Sequence, residues 1–148
     1  MKEKIFITVF LMFFVCVFSE ASFVTFPSAD LKAGKTEIKI GEPLDVTVEI
    51  MIPEFMILVQ TEESIGLKGW DIQKLEFKKD IMADGKYTLR MQITTLDSRI
   101  NEIPGIRFSC FNKNDGNILN PEIFYFFSNS VAVNVKNVFV DEDFNSIR

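Results

Sequence analysis

The chain has 148 residues, 25% of them charged, with 16 phenylalanines and no histidine. That length suits one domain. Its net charge of -5 argues against a nucleic-acid partner, which needs a basic face to neutralise phosphates, and fits a solvated acidic surface.

Residues 1–21 have the layout of a secretory signal. Lys2 and Lys4 give a positive start, and Ile5–Phe18 is apolar except for Thr8. Ser19 and Ala21 are small residues at the positions a signal peptidase reads, which predicts cleavage between Ala21 and Ser22. The run is shorter than the roughly 20 residues that span a bilayer as a helix. A retained N-terminal membrane anchor is the alternative. Cleavage removes Cys16 and leaves Cys110 as the single thiol. The domain then holds together by its core, with no internal disulfide. Residues 22–138 are the predicted domain, and the charged residues 139–148 a flexible tail.

The predicted elements are strands. Phe23–Lys32 contains Pro27, which removes a ladder donor, so it is an edge strand or an extended lead-in. Thr36–Ile40 alternates, and Gly41-Glu42-Pro43 breaks it. Leu44–Ile52 places Leu44, Val46, Val48, Ile50 and Ile52 on one face, the pattern of a central core strand. Phe55–Val59 is a continuous apolar run that fits a buried strand or a turn of helix. In Trp70–Phe77 the parity slips near Gln73-Lys74, and a bulge there restores the register. Asp84-Gly85 marks a turn that needs positive φ. Tyr87–Thr94 and Ile106–Cys110 each alternate strictly, and the polar link between them lets them lie as neighbours in one antiparallel sheet. Cys110 shares the inward side with Phe108 and Ile106, as a small buried hydrophobe. After the turn-rich 111–117 come an aromatic strand, Ile123–Phe127, and a valine-rich one, Val131–Val138. Seven to nine short strands and no amphipathic helix predict an all-β, antiparallel, immunoglobulin-like β-sandwich.

Catalytic signatures are scarce. Without histidine, Ser-His-Asp and Cys-His arrangements are impossible, and one cysteine cannot make a structural zinc site. No cofactor motif appears. Asp141-Glu142-Asp143 with Asn145 lacks the spacing of a calcium loop and fits a solvated tail. Glu62-Glu63 with Asp71 or Glu76 is a candidate carboxylate pair for an acid-based hydrolase. The aromatic run is more suggestive. Alternation turns Phe124 and Phe126 inward and Tyr125 and Phe127 outward, or the reverse. A sugar- or surface-binding module would expose Trp70, Tyr125 and Phe127 on one flat face.

Four pieces in order, Ile38–Val48 with its Gly41-Glu42-Pro43, Tyr87-Thr88-Leu89, Glu102-Ile103-Pro104 and Ser130–Val138, resemble the first β-sandwich domain of the BatD, or oxygen-tolerance, family of bacterial envelope proteins. The chain departs from that family where Gly105 follows Pro104, since members carry a glycine before the Ile-Pro instead. The resemblance implies a non-catalytic interaction module of the cell envelope, periplasmic or otherwise extracytoplasmic. Its implied partners are a MoxR-type ATPase and von Willebrand A-domain proteins. Intact mass and fractionation of the chain expressed with its own N-terminus test the first segment. A species starting at Ser22 in the soluble envelope fraction is expected; full-length mass in the membrane fraction means that Ile5–Phe18 is an anchor.

Overall fold

The computed structural model describes residues 26–59, 64–117 and 119–137. The proposed signal with its Ala21–Ser22 site, Glu62-Glu63 and the 139–148 tail lie outside the described residues. Eleven strands appear among those described: β1 Ser28–Ala33, β2 Glu37–Lys39, β3 Leu44–Met51, β4 Met56–Leu58, β5 Asp71–Lys79, β6 Lys86–Thr94, β7 Glu102–Ile103, β8 Arg107–Asn112, β9 Ile123–Phe127, β10 Val131–Ala132 and β11 Asn134–Lys136. The count exceeds the expected seven to nine because the chain also makes very short pairings. One is β7 with β10; another is β2 with β11, which run parallel.

Two sheets form an all-β sandwich. One has the order β1-β3-β6-β5 and the other β4-β8-β9. Their inner faces meet in one core. β3 sits in the middle of its sheet, with Leu44, Val46, Val48 and Ile50 buried and the residues between them facing out. The neighbouring β6 contributes Leu89, Met91 and Ile93, and the opposite sheet contributes Phe108, Cys110 and Phe126 from β8 and β9. Each large apolar side chain taken from water contributes about 1.5–3 kcal/mol. Phe108 and Phe126 stack with ring centroids 5.5 Å apart, an added fit between neighbouring strands.

The bulge expected in β5 is present: the register with β6 shifts between Ile72 and Lys74. Ile72, Leu75 and Phe77 thereby all pack against the core. Gly85 has φ +76°, and a Cβ there would fall on the Ile52 carbonyl, so the β5–β6 turn needs glycine. One expectation fails. β6 and β8 belong to different sheets rather than to one. The link between them is a crossing: Asp97 closes a turn by accepting from the Arg99 amide at 3.0 Å, and β7 then pairs with β10 before β8 begins.

A side chain closes the sandwich where β1 meets the end of β9. Asn129 Oδ1 accepts from the Leu31 amide at 2.7 Å, and Asn129 Nδ2 donates to the Leu31 carbonyl at 3.0 Å. The amide side chain thus pairs with the edge of β1 as another strand would. Beside it, Ser128 Oγ accepts from the Ile106 amide at 2.8 Å and donates to the Asn129 carbonyl at 3.0 Å. Gly105 allows this approach: a Cβ there would lie 2.6 Å from the Ser128 carbonyl oxygen. Asn129→Ala removes both bonds to Leu31. At about 0.5–1.5 kcal/mol for each net hydrogen bond, urea unfolding should show a loss of about 1–3 kcal/mol, with Asn129→Asp also destabilised because it keeps the acceptor and loses the donor to the Leu31 carbonyl.

Candidate functional site

The two outer faces of the sandwich differ in chemistry. On the four-stranded sheet the outward positions are polar. Lys32 reaches Asp30 and Glu49 at 3.3 and 3.7 Å, Lys78 reaches Glu76 at 2.7 Å, and Gln92 donates to Asp45 at 3.2 Å. These are solvated ladders, with little net energy in each pair.

The outer face of β4-β8-β9 is apolar. Strand register builds it in rows. Ile57, Phe111 and Ile123 form one row; Val59, Ser109 and Tyr125 form the next; Arg107 and Phe127 form the third. Tyr125 is 60% exposed and Phe127 63%, and Ile57, Val59 and Ile123 are exposed too. Alternation explains the pattern: Phe108, Cys110 and Phe126 take the inner positions, so their neighbours turn outward. Phe126 is therefore the inward aromatic of the run, and Tyr125 and Phe127 the outward ones. Two contacts order the face. The Arg107 guanidinium lies 5.1 Å from the centroid of the Tyr125 ring, a cation–π pair. Ser109 Oγ donates to the Val59 carbonyl at 2.6 Å and holds the end of β4 against β8. With aromatic side chains of roughly 150–250 Å² each, the patch amounts to several hundred Å², in the range where the largest patch of a monomer is often functional.

Trp70 is not part of this surface. It is 6% exposed, and its indole N–H donates to the Glu102 carbonyl at 3.1 Å. The ring joins the core because its one polar atom finds a partner there. The flat three-residue platform expected from sequence thus reduces to Tyr125 and Phe127. Sequence reasoning missed β8's share, Arg107 and Phe111. Alternation marked Arg107 as facing away from Phe108 and Cys110, whereas Phe111, read into the turn-rich 111–117, belongs to β8; nothing in the sequence placed β8 between β4 and β9. The run Phe55–Val59 is neither helix nor doubly buried strand: β4 is an edge strand with one apolar face in solvent.

The described carboxylates with a shifted pKa are all held down, Glu76 of the candidate pair among them. Glu76 is held below the usual carboxylate range by its hydrogen bond from Lys78. Asp97 is held down by the Arg99 guanidinium at 2.9 Å, and Glu42 by Lys35 at 2.7 Å and by the Lys39 amide. A general acid needs a shift upward. Burial raises the Cys110 thiol, the reverse of what a nucleophile needs. Among the described residues no group of three or more acidic or cysteine side chains is placed to hold a metal ion, and no helix is long and apolar enough to cross a membrane. Trp70 should emit at short wavelength and resist aqueous quenchers in the native chain. Trp70→Phe, which strands the Glu102 carbonyl, should cost about 1–3 kcal/mol in denaturant unfolding.

No family model matches the chain, and no curated protein matches it. Among solved structures it is similar to BcpA, the major pilin subunit of Bacillus cereus, at 18% identity and a TM-score of 0.33. It is also similar to an aspartate-to-alanine variant of that pilin, at 18% identity and a TM-score of 0.36. Each similarity covers 74% of this chain and 40% of the pilin chain, so the chain spans well under half of the pilins' length.

Proposed function

We propose that this chain is a non-catalytic binding module of an exported assembly, and that it works through the outer face of β4-β8-β9. The observation that supports this is the contrast between the two sheets. One outer face is covered by paired charges; the other exposes Ile57, Val59, Ile123, Tyr125 and Phe127 around Arg107. Tyr, Phe and Arg are residue types enriched at protein interfaces, where aromatic rings give contact area at low entropic cost. The fitting partner is a protein surface with apolar side chains and a carboxylate for Arg107. Its identity as a MoxR-type ATPase or a von Willebrand A-domain protein, and the envelope location, rest on the BatD resemblance alone.

A second reading has its own observation. Tyr125 and Phe127 stand two residues apart on one strand with both rings outward, an arrangement that suits a sugar chain. Arg107 over the Tyr125 ring occupies part of that stacking surface, which favours the protein partner.

The test is a photo-reactive residue placed at Phe127 in cells, with Lys74 on the opposite outer face as control. A discrete protein adduct from position 127 alone is expected. Equal adducts from both positions, or none, would overturn the reading, and retention on polysaccharide lost in Phe127→Ala would select the sugar. Tyr125→Ala and Phe127→Ala should each weaken the partner complex about tenfold, near 1.4 kcal/mol. Folding stability should change by less than about 0.5 kcal/mol, because both side chains face solvent.

A further inference from the structure

A second apolar surface lies at one end of the sandwich, built by four separate connections. Ser28 at the start of β1 pairs with Met51, Met51 with Lys86, and Tyr87 with Lys79. In the other sheet Met56 pairs with Asn112, and Phe111 with Ile123. The entry to β1, the β3–β4 turn, the β5–β6 hairpin and the β8–β9 connection therefore share this end. They are also joined. The Ile52 amide donates to the Gly85 carbonyl at 2.8 Å, and the Lys113 amide to the Phe55 carbonyl at 2.9 Å. A depression of about 370 Å³ runs between Pro53, Lys79, Gly85 and Lys113.

Three of these connections hold large apolar side chains almost wholly in solvent: Phe26 at 80%, Ile81 and Met82 at 97% and 94%, and Leu119 at 98%. The hairpin that presents Ile81 and Met82 is a built turn. Asp80 Oδ1 accepts from the Met82 amide at 2.9 Å, and the Asp80 amide donates to the Lys86 carbonyl at 2.8 Å. Lys79, Lys86 and Lys113 stand among Glu54, Asp80, Asp84, Asp115 and Glu122, so the end has no excess of positive charge. Electrostatic attraction to an anionic surface is not its device.

The chain enters the sandwich here from its apolar N-terminal run. From Phe18 to Phe26 is eight residues, which reach at most about 30 Å when fully extended. The nine-residue strands β5 and β6 are themselves about 30 Å long. A bilayer that holds Ile5–Phe18 therefore keeps the Phe26 end within reach of its surface and the Leu96 end beyond it. We propose that this end docks on a neutral phospholipid surface in the chain that retains residues 1–25, with Ile81, Met82 and Leu119 entering the interfacial layer beside Phe26. Proteins that rest on bilayers through apolar side chains gain affinity from buried apolar area, independent of salt when charges balance.

The full chain, with its own N-terminus, is incorporated in phosphatidylcholine vesicles containing bromine-labelled acyl chains. Tryptophan is placed at Ile81, at Leu119 and, at the opposite end, at Leu96. All three positions are solvent-exposed, so the fold is retained, and buried Trp70 supplies a constant background. Ile81→Trp and Leu119→Trp should shift to shorter wavelength and be quenched several-fold more than Leu96→Trp, also in high salt. Adding Met82→Asp to Leu119→Trp should abolish that difference. Equal quenching at both ends, no quenching, or quenching lost in salt would overturn the proposal. Adducts at position 127 report on the sheet face separately, so either proposal can fail alone.

Discussion

Packing of two inner sheet faces holds the described residues together without a covalent staple, since their one cysteine, Cys110, is free and buried. Every long strand serves that core with one face. β3 does so with four alternate buried residues, β6 with Leu89, Met91 and Ile93, and β8 with Phe108 and Cys110. A one-residue slip in any of them would turn an apolar set into water. The β5 bulge at Ile72/Lys74 shows how tightly that condition binds: the extra residue serves to put Leu75 and Phe77 on the same side as Ile72.

A sandwich that closes this way leaves backbone groups at its edges, and the chain treats them unequally. The edge of β1 is satisfied by the Asn129 side chain, and the neighbouring Gly105–Ser128 approach draws the β9 end against it. β5 carries charged residues and a bulge, features that discourage pairing with another chain. β4 is three residues long. What remains for binding is the surface of a sheet rather than its rim, and the apolar surface belongs to β4-β8-β9.

Legibility in the sequence followed the range of the interaction. Alternation is local, so the buried residues of β3, β6 and β8 could be named from sequence, as could the β5 bulge and the Gly85 turn. Sheet membership is not local. β6 and β8 have matching patterns, yet they lie in opposite sheets, because the twelve residues between them cross the sandwich instead of folding back. Trp70 shows the same limit at one side chain. Its hydropathy suits surface or core, and only the Glu102 carbonyl, thirty-two residues away, decides. Tyr125 and Phe127 could be paired from sequence because they alternate with Phe126, but which side turns outward was settled only by the burial of Phe126. Arg107 and Phe111 joined them only once β8 was known to lie between β4 and β9.

The apolar sheet face and the apolar end fit together in one geometry. The strands run from the Phe26 end toward the Leu96 end, so a bilayer at the first leaves the β4-β8-β9 face pointing sideways. That face would then be presented in the plane of the membrane, to a neighbour standing on the same surface. Confinement to that surface raises the encounter rate and fixes the approach of a modest patch, which compensates for limited area. The charged outer face of the other sheet suits the opposite side of such an assembly, where nothing covers it but water. In the docked arrangement proposed above, the orientation imposed at one end would add to what the small aromatic face of the other sheet supplies by its own contacts.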